Sequence, residues 1–172
     1  MTTAIVSAMQ EELSAVLPLL QAQPEEVAGR TFWRGVCHGE PVVAVLSRIG
    51  KVAAATTATT LIERFGVSRI VFTGVAGGLS PQVHVGDVVV ADGLVQHDMD
   101  ASPLFPRHEV PLYGLARFAV DAHLMAQLAQ ASEQVLADAA NHLGAGTLAE
   151  FQAAMKGSPI QVVPMSEGQT LE

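Results

Sequence analysis

Apolar and polar positions along this chain fall into blocks whose period switches between that of a strand and that of a helix. Ala4-Ile5-Val6 is a short apolar run that ends at Ser7. Leu13, Val16, Leu17 and Leu20 then recur at helical spacing, so Met9 to Leu20 reads as a helix, with Ser7 and Gln10 in a capping-box pattern. Pro18 removes a backbone donor within that stretch, which predicts a kink or an early end there. Pro24-Glu25-Glu26 reads as a loop, and Thr31 to Cys37 with Val42 to Ser47 as a hairpin turning near His38-Gly39-Glu40. From Lys51 to Phe65, the residues Val52, Ala55, Ala58, Thr59, Ile62 and Phe65 share one helical face, and Gly66 is placed to end the helix.

Arg69-Ile70-Val71-Phe72-Thr73 is the next strand, running into Gly74-Val75-Ala76-Gly77-Gly78-Leu79, a loop small enough for backbone to approach something flat or bulky. Val85 to Ala91 reads as another buried strand. A polar cluster, Gln96-His97-Asp98-Met99-Asp100, leads into a loop punctuated by Pro103, Pro106 and Pro111, of a length common at functional sites. Phe118 to Leu143 is helical and alanine-rich, Gly144 and Gly146 interrupt it, Thr147 to Lys156 is a further short helix, and Ile160 to Val163 is a last apolar run. Pro164 to Glu172 is polar and reads as a disordered tail. Strands interleaved with helices and joined by glycine turns point to an α/β fold, with residues 1–163 as a single domain and 164–172 as the tail.

Composition narrows the partners. A chain of 172 residues that is 49% hydrophobic builds one sizeable core. Its 9 Lys and Arg against 17 Asp and Glu give a formal charge of −8, which argues against a nucleic-acid or anionic-membrane surface. Cys37 is the only cysteine, so no intrachain disulfide or multi-cysteine metal site is expected, and it reads as a small strand hydrophobe. With no membrane-length apolar run and no basic, apolar leader, the chain is expected in the cytoplasm.

Candidate chemistry concentrates in three places. Glu11 and Glu12 put negative charge at a strand-to-helix turn, a frequent address for catalysis, although carboxylates complement the dipole of any first helical turn. Gly74-x-x-Gly77-Gly78 matches neither the dinucleotide fingerprint nor a P-loop, so the loop is expected to bind something other than phosphate. His97-Asp98-x-Asp100 has the kernel of a metal site but no second close histidine; hydrogen-bonded loop structure is the simpler reading, and no metal or cofactor is expected. No Gly-x-Ser-x-Gly elbow occurs, and Ser47 has no identifiable base, which sets serine-nucleophile chemistry aside.

Five blocks taken in order, Ala8-Met9-Gln10-Glu11-Glu12, Ser47-Arg48-Ile49-Gly50-Lys51-Val52-Ala53-Ala54, Thr73 to Leu79, Val85-Gly86-Asp87-Val88-Val89 and His97-Asp98-x-Asp100, resemble bacterial 5'-methylthioadenosine/S-adenosylhomocysteine nucleosidases. The resemblance spans about residues 3–140. It implies a nucleoside phosphorylase-like mixed sheet flanked by helices, a homodimer, and hydrolysis of the adenine–ribose bond of thio-substituted adenosines, a methionine-salvage step. Glu12 matches the family's water-activating glutamate. By the same matching, Ala8 and Met9 lie near the ribose, Ile49 lines the slot for the alkylthio tail, Ala76 and Gly77 face the adenine, and Val75 is a further substrate-binding position. Val75 stands where many relatives have serine, which removes one possible hydrogen bond. Leu104, Phe105 and Pro111 fall where the family lends apolar contacts to the neighbouring subunit's pocket.

The resemblance also implies a fold and a site that are incomplete at the C-terminus. An adenine-binding strand, a Met-Glu pair that grips the ribose hydroxyls and an aspartate acid have no match here. Asp121, Glu133 and Asp138 read as members of a solvated helix face, and Glu167 and Glu172 lie in the polar tail. Loss of one acid or base costs about 10²- to 10⁴-fold in rate. Two further readings follow: a catalytically silent relative that acts as a dimerising or ligand-binding stub, and a nucleoside phosphorylase, which would need a cationic phosphate site where this chain has Glu11-Glu12. Arg48 is the residue that would favour phosphate, but arginine at a strand end reads more simply as a surface or ion-paired group.

Overall fold

Alternating apolar positions in the first half of the chain pair into one mixed sheet of five strands in the order β2-β3-β4-β1-β5. These are β1 (Thr2–Ser7), β2 (Gln21–Val27), β3 (Arg30–Cys37), β4 (Glu40–Leu46) and β5 (Val67–Phe72). The computed structural model describes residues 1–142, with side chains to residue 137, and they fall into two compact units, Met1–Val75 and the residues from Ala76 on. The helix expected at Thr147–Lys156, the run Ile160–Val163, the tail with Glu167 and Glu172, and the Asp138 side chain lie outside what is described.

In the first unit β1 runs parallel to both β4 and β5, so three strands deliver their carboxyl ends to one edge of the sheet. β2, β3 and β4 form an antiparallel meander. Val42, Val43, Ala44 and Val45 are all buried, as expected of a strand covered on both faces. Ala4, Val6, Phe32, Val43, Val45, Leu61 and Val67 form the core cluster, to which Phe65 adds a ring stacked on Phe32 at 4.7 Å between centroids.

The helix α2 spans Lys51–Phe65, as the periodicity expects, and ends at Gly66 in the left-handed conformation (φ 62°), where a side chain would be strained. The expected Met9–Leu20 helix is much shorter. α1 covers only Gln10–Ser14 with Leu13 buried, and a 3₁₀ turn at Leu17–Leu19 follows with Pro18 at its second position. The expected loop at Pro24-Glu25-Glu26 is part of β2: as an outer strand, β2 tolerates a proline that cannot donate to a neighbour.

The second unit holds a two-stranded ribbon, β6 (Gly93–Leu94) with β7 (Phe118–Ala119), and the helix α3 (Ala122–His142). No strand forms at Val85–Ala91, where Val85 is 69% exposed. An apolar run is only a candidate strand, and here it remains loop. Phe118, expected to open the long helix, lies in β7 instead. The helix starts four residues later, where the Asp121 carboxylate accepts the Leu124 N–H at 2.7 Å, so Asp121 is an N-cap.

Candidate functional site

The carboxyl end of β1 is the centre of the arrangement. Beyond the strand, the Ser47 N–H donates to the Ser7 carbonyl at 2.8 Å and the Thr73 N–H donates to the Val6 carbonyl at 2.9 Å. These bonds hold the turns after β4 and β5 on either side of Ser7-Ala8-Met9. Ser47 Oγ, buried, adds a bond to the Ser7 carbonyl at 3.2 Å. Outside the carboxyl ends of parallel strands is where open α/β sheets bind their ligands.

Glu12 occupies the third position of α1 and folds back over this edge. Its Oε2 accepts the N–H groups of Ala8 at 3.0 Å and Met9 at 2.9 Å, and its Oε1 accepts the Val75 N–H at 2.8 Å. One half-buried carboxylate thereby ties the end of β1 to the turn after β5. A carboxylate offers about four acceptor positions; with three filled by backbone, it retains capacity to hold one further donor. The capping partner of the first helical turn is thus Glu12 with Met9, rather than Gln10 with Ser7. Ser7 Oγ is buried with no hydrogen-bond partner.

Gly74 has a role that the sequence pattern did not reveal. A Cβ built there would lie 2.7 Å from Glu12 Oε1 and 2.8 Å from Glu12 Cδ. The close approach expected of this glycine loop is therefore made, at position 74, to the protein's own carboxylate. The signal was available in part, because a glycine directly after a strand marks close backbone approach without naming what approaches. Val75 contributes its main-chain N–H to Glu12, which any residue but proline would supply.

Ile49 sits on the turn after β4, between Arg48 (φ 68°) and Gly50 (φ 106°), and is 78% exposed. It lines an open groove of about 730 Å³ with Arg30, Arg48, Val52, Ala53 and Thr56 among its neighbours. Ala8, Met9, Glu12 and Val75 are thus brought together, and Ile49 lies on the adjacent turn of the same sheet edge.

Ala76, Gly77, Leu104, Phe105 and Pro111 belong to the second unit. Ala76, Gly77 and Leu104 are exposed, Phe105 and Pro111 half-buried. The Leu104 and Phe105 N–H groups both donate to the Ala101 carbonyl. In the polar cluster, the Asp100 carboxylate accepts the Ser102 hydroxyl at 2.6 Å and its N–H at 3.1 Å, and these bonds, the hydroxyl's first, hold its carboxyl below the usual carboxylate range. Among the described residues no three His, Cys, Asp or Glu side chains converge as metal ligands would, and no helix is long and apolar enough to cross a membrane.

Comparison with known proteins bears on this geometry. The Phosphorylase superfamily profile matches residues 2–154. A 5'-methylthioadenosine/S-adenosylhomocysteine nucleosidase of Anoxybacillus flavithermus is 38% identical over 141 residues, covering 80% of this chain and 60% of its own length. An aminodeoxyfutalosine nucleosidase of Helicobacter pylori is 41% identical over 100 residues, covering 57% of this chain and 44% of its own. The crystal structure of S-adenosylhomocysteine nucleosidase from Streptococcus pyogenes in complex with 5-methylthiotubericidin superposes with a TM-score of 0.74 at 34% identity, over 78% of this chain and 57% of that one. The chain spans about half the length of the curated relatives it matches.

Proposed function

We propose, from the premise that this chain belongs to the phosphorylase superfamily, that it acts on the N-glycosidic bond of 5'-methylthioadenosine and S-adenosylhomocysteine, releasing adenine and the thioribose product. The observation that carries the reading is Glu12, a carboxylate held by three backbone N–H groups at the carboxyl edge of the parallel strands. Cleavage sends the C1'–N9 electron pair to the base and builds positive charge on the ribose. A fixed carboxylate stabilises that charge, and its remaining acceptor position orients a water whose oxygen bonds to C1' as its proton passes to Glu12. Adenine takes up a proton as it leaves.

Water is favoured over phosphate as the nucleophile because the same carboxylate repels an anion at that position. In this reading Ala8 and Met9 lie against the ribose, Ile49 against the alkylthio tail, and Ala76 and Gly77 against the adenine, with Val75 beside them in the chain. Leu104, Phe105 and Pro111 serve the pocket of a second copy, which makes the working unit a homodimer; the 84% exposure of Leu104 supports that role. A cytoplasmic location and action on a soluble nucleoside are consistent with the acidic composition.

The test is adenine release from 5'-methylthioadenosine by the purified chain and by Glu12→Gln. The variant is expected to lose about 10²- to 10⁴-fold in kcat. Equal turnover by the two proteins would remove Glu12 from the mechanism.

A further inference from the structure

Each of the three parallel strands ends in a turn that is linked to the Glu12 carboxylate. The turn after β5 is linked directly, because the Val75 N–H donates to Oε1 at 2.8 Å. The end of β1 is linked through the Ala8 and Met9 N–H groups on Oε2. The turn after β4 reaches the carboxylate at one remove. Its first residue, Ser47, is 1% exposed and directs both of its donors to the same acceptor. The Ser47 N–H lies 2.8 Å, and its Oγ 3.2 Å, from the Ser7 carbonyl oxygen.

That carbonyl is one pole of a peptide group whose other pole is the Ala8 N–H, which donates to Glu12 Oε2 at 3.0 Å. The group is planar, so the directions of its C=O and N–H are locked together. Holding the carbonyl at Ser47 therefore aims the N–H at Glu12. A donor on the carbonyl also polarises the amide, and hydrogen bonds in series strengthen one another. Ser7 and Ser47 are both shut off from bulk water, which leaves this carbonyl to protein donors. The Ser47 hydroxyl has one proton and a second acceptor within reach, the Arg48 carbonyl at 2.9 Å. It thereby ties the end of β1 to the turn that continues through Arg48.

We propose that Ser47 is a positioning residue for Glu12, acting through the Ser7–Ala8 peptide group to fix the carboxylate that orients the attacking water. The inference rests on the nucleosidase reading, which gives Glu12 that task. Ser47 itself touches no reacting atom. Any residue but proline supplies the N–H at position 47, so the hydroxyl is the part that requires serine or threonine there. All three carboxyl-end turns then converge on one side chain, two of them on its oxygens and the third on the peptide that faces Oε2.

The experiment compares the whole chain as wild type, Ser47→Ala, Glu12→Gln and the double variant, by amide NMR and by adenine release from 5'-methylthioadenosine. In Ser47→Ala the Ala8 amide proton is expected to move upfield, the signature of a weaker bond to Glu12. The same substitution should move it far less when Glu12 is already glutamine. Ser47→Ala should lower kcat about three- to tenfold with KM unchanged, and Ser47→Thr, which keeps the hydroxyl, should recover most of the loss. The double variant should turn over no more slowly than Glu12→Gln alone, whereas a purely structural role would multiply the two losses. An Ala8 amide that stays in place, a Ser47→Ala kcat equal to wild type beside a disabled Glu12→Gln, or full multiplication in the double variant overturns this inference and leaves the nucleosidase reading standing. Equal turnover by Glu12→Gln and wild type, or no adenine release by any of the proteins, overturns the nucleosidase reading and this inference with it.

Discussion

Two strand-to-helix turns lie side by side at the same sheet edge and are built in opposite ways. After β1, Glu12 turns inward and its oxygens are engaged by the N–H groups of Ala8, Met9 and Val75. After β4, Arg48 and Ile49 turn outward and are exposed, Arg48 being steadied by one carbonyl. In the function proposed for Glu12, the difference has a use. A group that must meet a reacting bond gains from being fixed before the substrate arrives. Groups that border an open groove stay accessible, and backbone there supplies support rather than enclosure.

The contrast can be broken most severely at Glu12. In addition to the loss of turnover, Glu12→Gln sets an amide NH₂ against at least one backbone N–H donor, and a fall in unfolding free energy of about 1–3 kcal/mol is expected by urea denaturation. Phe32→Ala removes the buried core ring stacked on Phe65 and should lower stability by about 3–5 kcal/mol, which thermal unfolding will read.

Gly74→Ala sharpens the comparison, because its methyl group would meet the Glu12 carboxylate at 2.7 Å and the carboxylate, at the end of a flexible side chain, is what must shift. We expect kcat to fall about 10- to 100-fold with far-UV circular dichroism unchanged. The smallest effect belongs to the outer turn. Arg48→Gly relieves a positive φ of 68° but loses the bond to Gly29 and loosens the unfolded chain, so stability should stay within about 1 kcal/mol of the parent in the same urea assay.

The elements legible in the sequence were those whose pattern and punctuation agreed. Lys51–Phe65 combines helical spacing with a terminating glycine, and it folds at those bounds. The hairpin of β3 and β4 was likewise visible in its alternation and its His38-Gly39 turn. β2 was hidden because Pro24 is a loop signal everywhere except at the rim of a sheet, and rim position is a property of the finished topology. α1 fell short of its periodic pattern, which runs through Leu17 and Leu20 although the helix ends at Ser14 and a 3₁₀ turn carries Pro18. Of the site, Glu12 and the glycine loop stood out as residue types at a strand end. What could not be read was that Gly74 and Glu12 answer one another across 62 positions of chain, since close approach is a relation between two segments that local pattern does not encode.

Pro24 also sets a direction for the sheet. Its neighbours in β2 are Glu25, paired with Arg64 at 3.6 Å, and Glu26, which accepts the Thr31 hydroxyl, so this rim offers an incoming strand a gap in its donors beside two engaged carboxylates. Further main-chain ladders are discouraged on that flank, and the five-stranded array is guarded there against templating fibrils, whatever happens at its opposite flank.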